Sequence, residues 1–558
     1  MRRNGGTLFM ETLIDEEVSC IFGNPGTTEL PLMDALVNEE RLEYYLCLHE
    51  SIAVAAAEGY AFATGNVGVV NLHVAPGLGN AMGNLYNAKR AGSPLVIAAG
   101  NQGQAGHLHE IILWDDLPKI ADPFCKWSYE VRHVDDVEHA LRRAIKTALT
   151  PPTGPVFLSF PGDVLQAETG GIKGSPTRIP TRFPADKNAI ARAADLLTQA
   201  ARPVFVTGQG IARSGAKEEL VKLAEFTGAK VFGECASNAF SFPVTHPQFA
   251  GDLPRVARKM REQLEEADVV FFIASEPLVL SFPPDIHPIP DHIRAIHLDL
   301  NTSDIGKSFP IEVALYGDPK TTLPILTNEL EMKWGTPERQ KAKKRRERVT
   351  AETGAFWEKI DPTLIPGEES KAGMSRTAFQ AAIREALPEG AAFVDESLTT
   401  GGNGLRRGIG DKVTDLFGMK GGGIGMGLPT TLGVKAAMPN RPVVCVSGDG
   451  SAMYTIQTLW TAAHYGLNAV WIIANNKSYR ILKERILNLN GKANEFRQFP
   501  CMDFNDPMLD FQGLANAMGV ESARADTPNE LIKAIRSGLA SGKPRLIDAW
   551  INLKPLEG

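Results

Sequence analysis

The sequence lacks the features that mark secreted, membrane-spanning or nucleic-acid-binding proteins. Its six cysteines are scattered without CxxC spacing, which indicates neither a zinc site nor a disulfide framework and favours a reducing cytoplasm. The chain has no run of about 18 apolar residues, and its first residues lack the apolar core of a signal peptide, so we expect no membrane partner. A net charge of −7 offers no basic surface, so we expect no nucleic-acid partner either.

The composition is that of a globular protein with several cores. Hydrophobic residues make up 43% and charged residues 22% of the chain, and 558 residues are too many for one hydrophobic core. Segments rich in Gly, Pro and Thr (167–185) or in charge (330–372) indicate linkers, the second one partly helical. We therefore predict an α/β protein with domains at 1–166, 186–330 and 373–558.

Alternating helix and strand patterns in each block predict parallel sheets. In the first block we expect helices at Thr7–Glu17, Glu29–Asn38 and Ser51–Thr64, and strands at Ser19–Phe22, Gly68–Leu72 and Leu95–Ala99. In the second we expect strands at Val204–Thr207, Val269–Ala274 and His297–Leu300. In the third we expect the strands Pro442–Ser447 and Ala469–Ala474, with a helix at Tyr454–His464 between them.

The most informative motif lies in the third block. Gly448-Asp-Gly-Ser451 follows one predicted strand, and Asn475-Asn476 follows the next. In an open α/β sheet these two turns lie side by side at the ligand crevice. Glycines there let backbone N–H groups approach a phosphate, while Asp449 and Asn476 supply the hard oxygen ligands that Mg²⁺ prefers.

A second glycine turn, Gly208-Gln-Gly210, follows a predicted strand of the middle block. The third glycine of a dinucleotide-binding fingerprint is missing, and we find no clear acidic residue closing a following strand. The signal for a bound nucleotide is therefore weak.

At the Gly448–Asn476 motif the chain resembles the thiamine diphosphate (ThDP) enzymes, and the resemblance extends over nearly the whole chain. Further stretches look most like benzoylformate decarboxylases, with acetolactate synthases next: Phe22–Thr27, Asn71–His73, Gly79–Gly83, Lys126–Glu130 and Leu459–Ala463. The resemblance implies three domains, each a doubly wound parallel sheet. The N-terminal domain would bind the pyrimidine of the cofactor, the C-terminal domain would bind its diphosphate, and the third domain would lie between them in the sequence. It also implies ThDP and Mg²⁺ as cofactors.

The resemblance assigns cofactor-binding roles residue by residue. Glu50 matches the carboxyl group that hydrogen-bonds the pyrimidine, and we expect an apolar pocket to raise its pKa. Ile424 matches the side chain wedged between the cofactor rings, and the Gly422 carbonyl matches the acceptor for its amino group. The diphosphate and metal positions match Asp449, Gly450, Ser451, Asn476, Ser478 and Tyr479, with Asp449, Asn476 and the Ser478 carbonyl on the metal. Thr399 and Thr400 match less securely, because the loop length differs.

On the substrate side, Thr27 stands where the decarboxylases carry a serine that holds the substrate carboxylate. His73 matches an active-site histidine, and imidazole is suited to proton transfer near neutral pH. The second catalytic histidine of benzoylformate decarboxylase is missing, and Ser281 lies near its place. The alternatives His107, His109 and His287 stay open.

The segment after the asparagine pair also departs from the family. Arg480, Lys483 and Arg485 form the exposed face of a helix in one interpretation. In the other, one of them points inward and the substrate carries a second negative charge.

The resemblance implies non-oxidative decarboxylation of a 2-oxo acid to an aldehyde and CO₂. The main alternative is a carboligase of the acetolactate synthase type, which joins the decarboxylated fragment to a second carbonyl compound. A non-catalytic subunit is a third, which Glu50 and the intact metal motif argue against. Because Glu50 and the phosphate anchors lie in different blocks, the family builds each site between two subunits. A homodimer is thus the minimum, and a homotetramer is expected.

Overall fold

The computed structural model describes residues 3–171, 174–360, 373–489 and 491–553. The chain divides into two compact units, the first comprising Met1–Ile179, Thr363–Gly402 and Met419–Gly558, and the second Pro180–Pro362 and Asn403–Gly418. Parts of both predicted linkers (172–173 and 361–372) and of the first and third predicted domains (1–2, 490 and 554–558) lie outside the described residues. Among the described helices, none combines the length and hydrophobicity needed to cross a membrane.

The first unit contains a six-stranded sheet near its N-terminus, in which all strand pairs are parallel. Its strands follow in the spatial order Glu43–Leu46, Cys20–Gly23, Gly68–His73, Leu95–Asn101, Val156–Pro161 and Ser128–Glu130. The helices of this segment are Gly5–Asp15, Leu30–Ala35, Glu50–Thr64, Val74–Ala91, Leu117–Ala121, Val137–Leu149 and Gly162–Gln166. Two short strands, Arg3–Asn4 and Glu168–Thr169, pair antiparallel beside it.

A second sheet of the first unit lies near the C-terminus, and its strands within this unit are also parallel. Their order is Ala391–Glu396, Val443–Gly448, Val470–Asn475, Arg545–Trp550 and Glu521–Ala525. The helices are Arg376–Ala386, Gly427–Ala437, Asp449–Ala452, Thr458–His464, Arg480–Ile486, Lys492–Phe496, Phe511–Ala517 and Pro528–Ala540. The central strands are buried along almost their whole length, as expected for a parallel sheet covered on both faces.

The second unit contains a six-stranded parallel sheet. Its strands follow in the order Phe249–Asp252, Lys230–Gly233, Pro203–Thr207, Val269–Ile273, Arg294–Asp299 and Val313–Tyr316. The helices are Lys187–Gln199, Gln209–Ser214, Lys217–Thr227, Ala257–Leu264, Pro319–Lys333, Thr336–Glu358 and Asn403–Ile409, and a further strand runs over Val413–Gly418.

Two glycines allow close packing between a helix of the N-terminal sheet and a helix of the C-terminal sheet of the first unit. Helix Glu50–Thr64 packs on helix Gly427–Ala437, and a methyl group at Gly59 or Gly433 would collide with a backbone carbonyl of the other helix. Each glycine therefore permits a backbone approach that any larger residue would prevent. This packing joins the element that begins with Glu50 to the element that follows the loop carrying Ile424.

The predicted fold class, three domains with parallel doubly wound sheets, is confirmed. Element boundaries mostly differ by one to three residues, but the predicted helix Tyr454–His464 is wrong at its start. Its helical part begins only at Thr458, because residues 453–457 form turns after the short helix Asp449–Ala452. The charged linker 330–372 was predicted to be partly helical, and the structure has a helix over Thr336–Glu358. The domain limits 1–166, 186–330 and 373–558 stay a prediction.

Candidate active site

The two turns of the C-terminal motif meet at the carboxyl ends of neighbouring strands. Asp449 is buried, and its Oδ1 accepts a hydrogen bond from the Gly450 amide at 2.7 Å. Its Oδ2 accepts from the backbone amides of Asn476 at 3.0 Å and of Ser478 at 3.3 Å. Burial raises the pKa of Asp449 to about 6. The side-by-side turns predicted from the strand pattern are therefore held together by this one carboxylate.

Asn476 carries an unsatisfied acceptor at this place. Its Oδ1 is buried and finds no hydrogen-bond partner among the residues that the structure describes, a costly state for a polar atom in a folded protein. No group of three or more His, Cys, Asp and Glu side chains suited to a metal occurs among the described residues. A cation here would instead be held by one carboxylate, one amide oxygen and backbone or phosphate oxygens, a donor set that suits a hard divalent ion.

The residues around the motif shape its walls. A methyl group at Gly450 would overlap the ring of Tyr479, which packs edge-on against Phe504 with ring centroids 4.7 Å apart. The Ser478 hydroxyl donates to the Met502 carbonyl at 2.7 Å. Ser451 is buried beside the turn.

The glycine loop lies before helix Gly427–Ala437. Gly422 and Gly425 have φ angles of +91° and +95°, which side-chain-bearing residues rarely adopt. Ile424 between them is half-buried. Thr399 and Thr400 are both buried, and the Thr400 carbonyl accepts from Gln380 Nε2 at 2.7 Å.

Glu50 begins its helix at the carboxyl edge of the N-terminal sheet and is 6% exposed. Its Oε2 accepts from Asn80 Nδ2 at 3.0 Å, and its Oε1 from Asn24 Nδ2 at 3.4 Å. The expectation that Glu50 lies in an apolar pocket is therefore wrong, because both of its carboxyl oxygens accept hydrogen bonds from side-chain amides. Sequence reasoning missed both asparagines, although Asn80 lies in the Gly79–Gly83 stretch that carried the family resemblance.

His73 is oriented by a carboxylate that the sequence analysis also missed. Glu29 is fully buried, and its Oε2 lies 2.8 Å from His73 Nδ1. Three further donors fix that carboxylate, namely the amides of Gly26 and Gly100 and the Thr28 hydroxyl. A carboxylate only accepts hydrogen bonds, so the proton of neutral His73 sits on Nδ1 and Nε2 is left for other contacts.

The turn that precedes Glu29 lies against the imidazole. A methyl group at Gly26 would overlap the His73 ring, and Thr27 is exposed next to it. The structure thus brings Thr27 and His73, predicted from separate stretches, to one edge of the N-terminal sheet.

The four alternatives for a second proton donor lie in different places. His107 Nε2 lies 2.8 Å from the Gln102 carbonyl and its Nδ1 lies 3.9 Å from Glu130, whereas His109 is exposed. Ser281 and His287 belong to the second unit, where His287 Nδ1 lies 2.9 Å from the Ile289 carbonyl.

Two of the basic residues after the asparagine pair are compensated by acids. Arg480 Nε lies 3.2 Å from Glu484 Oε1, and Lys483 forms an ion pair with Asp503. Their side chains are 18% and 14% exposed, so they are more buried than the predicted helix face. Because each has an acidic partner within the same segment, these two contacts favour neither a free surface charge nor a dianionic substrate.

The glycine turn of the central sheet contains a carboxylate of the protein itself. Strand Lys230–Gly233 is followed by Glu234, which is fully buried, so the expectation that no acidic residue closes a following strand is wrong. Glu234 accepts from the backbone amides of Gln209 at 3.1 Å and Glu276 at 2.8 Å. The amide at the start of helix Gln209–Ser214, which a nucleotide phosphate would use, already has an anionic acceptor.

Parallel α/β sheets with buried polar residues at the carboxyl ends of their strands, as in the N-terminal and C-terminal sheets of this chain, are typical of enzymes that bind a cofactor. Models of thiamine pyrophosphate enzymes match residues 3–114 (N-terminal TPP binding domain), 190–326 (central domain) and 416–549 (C-terminal TPP binding domain). The chain belongs to this family and is a ThDP-dependent enzyme, which confirms the resemblance found in the sequence.

Individual relatives agree with this assignment. Benzoylformate decarboxylase of Pseudomonas aeruginosa, a carboxy-lyase, is 32% identical and aligns over 96% of this chain and 97% of its own. The acetolactate synthase large subunit of Haemophilus influenzae is 26% identical over 99% and 95%. The solved structure of the ThDP-dependent 4-hydroxybenzoylformate decarboxylase of Rhodococcus jostii RHA1 matches with a TM-score of 0.86 at 30% identity, covering 99% of this chain and 100% of that one.

Proposed function

We propose that this enzyme is a Mg²⁺-dependent, non-oxidative decarboxylase that converts a 2-oxo acid into an aldehyde and CO₂. The observation that carries the proposal is the Glu29–His73 pair, which supplies a proton-transfer group of fixed orientation against the turn that carries Thr27. The overall similarity to benzoylformate decarboxylase supports the same reaction class.

The cofactor-side residues fit the groups they would hold. Asp449, Asn476 and the Ser478 carbonyl would bind Mg²⁺, which gives the orphaned Asn476 Oδ1 a partner. The remaining contacts to ThDP are assigned to Glu50, Thr399, Thr400, Gly422, Ile424, Gly450, Ser451 and Tyr479. When bound, thiamine diphosphate supplies the electron sink that cleavage of the carboxylate bond requires.

The chain's own residues then divide the remaining tasks. Thr27 offers its hydroxyl to the substrate carboxylate. His73, after taking up a second proton from solvent, would give its Nε2 proton to the former keto carbon and return to the neutral form with its remaining proton on Nδ1. Glu29 keeps the proton of neutral His73 on Nδ1, so that Nε2 faces the reaction in one orientation. Asn24 and Asn80 hold the Glu50 carboxyl in place for the pyrimidine.

The assembly and its environment belong to the same proposal. Glu50 and Asp449 lie on different sheets, which supports a site shared between subunits, a homodimer at least and a homotetramer as the expected form. All six cysteines are free, which supports a reducing, cytoplasmic environment.

A carboligase of the acetolactate synthase type is the second candidate. The similarity to acetolactate synthase large subunits over nearly the full chain favours it, and both reactions need the same cofactor residues. The difference lies in what happens after CO₂ leaves, when either a proton or a second carbonyl compound reacts.

One experiment separates the two candidates. The purified protein with ThDP and Mg²⁺ is given benzoylformate, pyruvate, branched-chain 2-oxo acids and 2-oxoglutarate in turn, and CO₂ and aldehyde are measured. Aldehyde equal to CO₂ supports the decarboxylase, and preference for 2-oxoglutarate would show that a basic residue faces the pocket. CO₂ with a hydroxyketone product instead of aldehyde would overturn the first proposal in favour of the second, and no turnover would contradict both.

A further inference from the structure

One asparagine, on a helix that follows a strand of the N-terminal sheet, forms hydrogen bonds with the glycine loop that carries Ile424. Asn87, on helix Val74–Ala91, is 3% exposed. Its Nδ2 donates to the Gly423 carbonyl at 2.8 Å, and its Oδ1 accepts from the Gly423 amide at 3.0 Å. A methyl group at Gly421 would collide with Asn87, and one at Gly423 would lie in tight contact with its side-chain amide. The side-chain amide therefore pairs with the loop backbone as a neighbouring strand would.

The orientation of Asn87 is fixed by a second buried amide. Asn87 Nδ2 also donates to Asn84 Oδ1 at 2.9 Å. Asn84 Nδ2 in turn donates to the Ser51 carbonyl at 3.0 Å and to the Ser51 hydroxyl at 2.9 Å. Because each amide group faces a partner of the opposite type, the Asn87 side chain cannot flip without losing hydrogen bonds.

A buried carboxylate holds the other half of the loop. Glu396 is 2% exposed and ends strand Ala391–Glu396. Its two oxygens accept from the backbone amides of Gly425 (2.5 Å), Met426 (3.0 Å) and Gly427 (2.8 Å), and from the Ser447 hydroxyl at 2.9 Å. All four partners are donors, so both carboxyl oxygens act as acceptors, although burial raises the pKa of Glu396. Helix Gly427–Ala437 begins at the same point.

Ile424 lies between these two contacts. The residue before it is bound by Asn87, and the three after it are bound by Glu396. Glycine-rich segments are expected to be mobile because glycine has the most backbone freedom to lose. Here almost every backbone amide from Gly423 to Gly427 has a buried side-chain acceptor.

We infer that the loop is held in its cofactor-binding shape before the cofactor arrives, with Asn87 and Glu396 as positioning residues for Gly422 and Ile424. The inference rests on the proposed roles of these two loop residues. Because the loop is already ordered, binding of ThDP would not carry the entropic cost of ordering a glycine segment, and its affinity is correspondingly higher. The opposite arrangement would be a loop that becomes ordered only around the cofactor.

Amide hydrogen exchange of the cofactor-free protein tests this directly. We expect the amides of Gly423, Gly425, Met426 and Gly427 to be protected without ThDP, and saturating ThDP to slow their exchange by less than about threefold, a difference small beside the protection of a stable element. Exchange at the unprotected rate in the apoprotein, followed by protection on adding ThDP, would overturn the inference.

Two variants separate positioning from packing. Asn87→Ala removes both bonds to Gly423, whereas Asn87→Asp keeps the size and places an acceptor against the Gly423 carbonyl. In both we expect faster exchange at Gly423 and a Kd for ThDP raised about tenfold, equivalent to about 1.4 kcal/mol. Glu396→Gln should give the same effect at Gly425–Gly427, since its amide would face a backbone donor.

The matched control is Asn188→Ala, which removes an exposed asparagine from helix Lys187–Gln199. We expect wild-type loop exchange and wild-type ThDP affinity from it. Wild-type exchange and affinity in both Asn87 variants would contradict the positioning role. If one variant fails to fold, the other and the wild-type exchange measurement still decide. Neither readout requires turnover, so failure of the proposed reaction would be distinguishable from failure of this inference.

Discussion

Two glycine turns in this molecule follow the same strand–turn–helix plan but have opposite surroundings. In the central sheet, the amide of Gln209 after Gly208 is bound by the buried carboxylate of Glu234, which comes from the neighbouring strand. In the C-terminal sheet, Asp449 belongs to the turn itself and accepts hydrogen bonds from the next turn. Asn476 Oδ1 beside it has no partner within the described part of the chain. In the central turn a carboxylate of the protein accepts a hydrogen bond from the backbone amide, whereas the C-terminal turn still offers the Asn476 oxygen to a ligand.

The comparison teaches that a glycine turn alone does not identify a phosphate site. What distinguishes the two is whether a neighbouring strand supplies an anion. The central edge is also more acidic, since Asp304 and Glu234 both lie close enough to Asp299 to act on it, and burial raises the pKa of Asp299 to about 7. Such an edge disfavours a second anion, whereas the C-terminal edge suits a cation bridging to phosphate.

The largest expected effect is at the open turn. Asp449→Ala removes the only carboxylate assigned to the metal and the bonds that join the two turns. We expect the Kd for ThDP in the presence of Mg²⁺ to rise about a thousandfold, equivalent to about 4 kcal/mol, measured by calorimetry. A variant that copurifies with a full complement of ThDP would contradict the metal assignment.

The acidic central edge predicts a pH dependence of stability. Because the folded-state pKa of Asp299 lies near 7 and its ordinary value is 3.8, the folded protein binds more protons between these values, and stability falls as the pH rises from about 4 to 7. This group contributes at most about 4 kcal/mol to that fall. Asp299→Asn should flatten the decrease of Tm between pH 5 and pH 8, and an unchanged pH profile would show that Asp299 ionises normally.

A matched glycine pair sharpens the contrast between the turns. A methyl group at Gly208 would collide with the backbone at Ala274 and Ser275, whereas at Gly450 it meets the movable ring of Tyr479. Gly208→Ala should therefore lower stability by about 2 kcal/mol and leave ThDP affinity unchanged. Gly450→Ala should weaken ThDP binding with little change in Tm. The reverse pattern would break the comparison.

The smallest expected effect is a null response to nucleotides. If Glu234 occupies the phosphate position of the central turn, ADP and FAD at millimolar concentration should leave Tm unchanged, while ThDP with Mg²⁺ raises it. Glu234→Gln serves as a second test: it should cost about 1 kcal/mol of stability, because one backbone donor loses its acceptor. A rise in Tm with FAD would show that the central turn is open.

The sequence predicted the sheets well because parallel strands buried on both faces leave continuous apolar runs. The strands ending at Gly448 and Asn475 were placed within one residue, and the pairing of their turns followed from the general topology of such sheets. The helix expected at Tyr454 failed because turn residues after a short helix carry no periodic pattern. Element starts beside a ligand crevice are set by local hydrogen bonds such as those of Asp449.

The carboxylates that hold other groups were not predicted. Glu29, Glu234 and Glu396 are each buried against backbone amides of segments distant in sequence, and nothing in the local sequence of a glutamate shows whether such donors await it. The asparagines Asn24 and Asn80 at Glu50, and Asn87 at the glycine loop, were missed for the same reason.

By itself the sequence determined the α/β class, the three sheets, the family and the turn that offers Asp449 and Asn476. These follow from hydrophobic periodicity and short motifs, which act over neighbouring residues. Only the tertiary structure decided that Glu29 orients His73. It also decided that Asn87 and Glu396 bind the backbone of the loop that carries Ile424, and that Glu234 accepts a hydrogen bond from the backbone amide of the central glycine turn. Those outcomes depend on which donors and acceptors burial brings together, and a buried polar group takes whichever partner the fold provides.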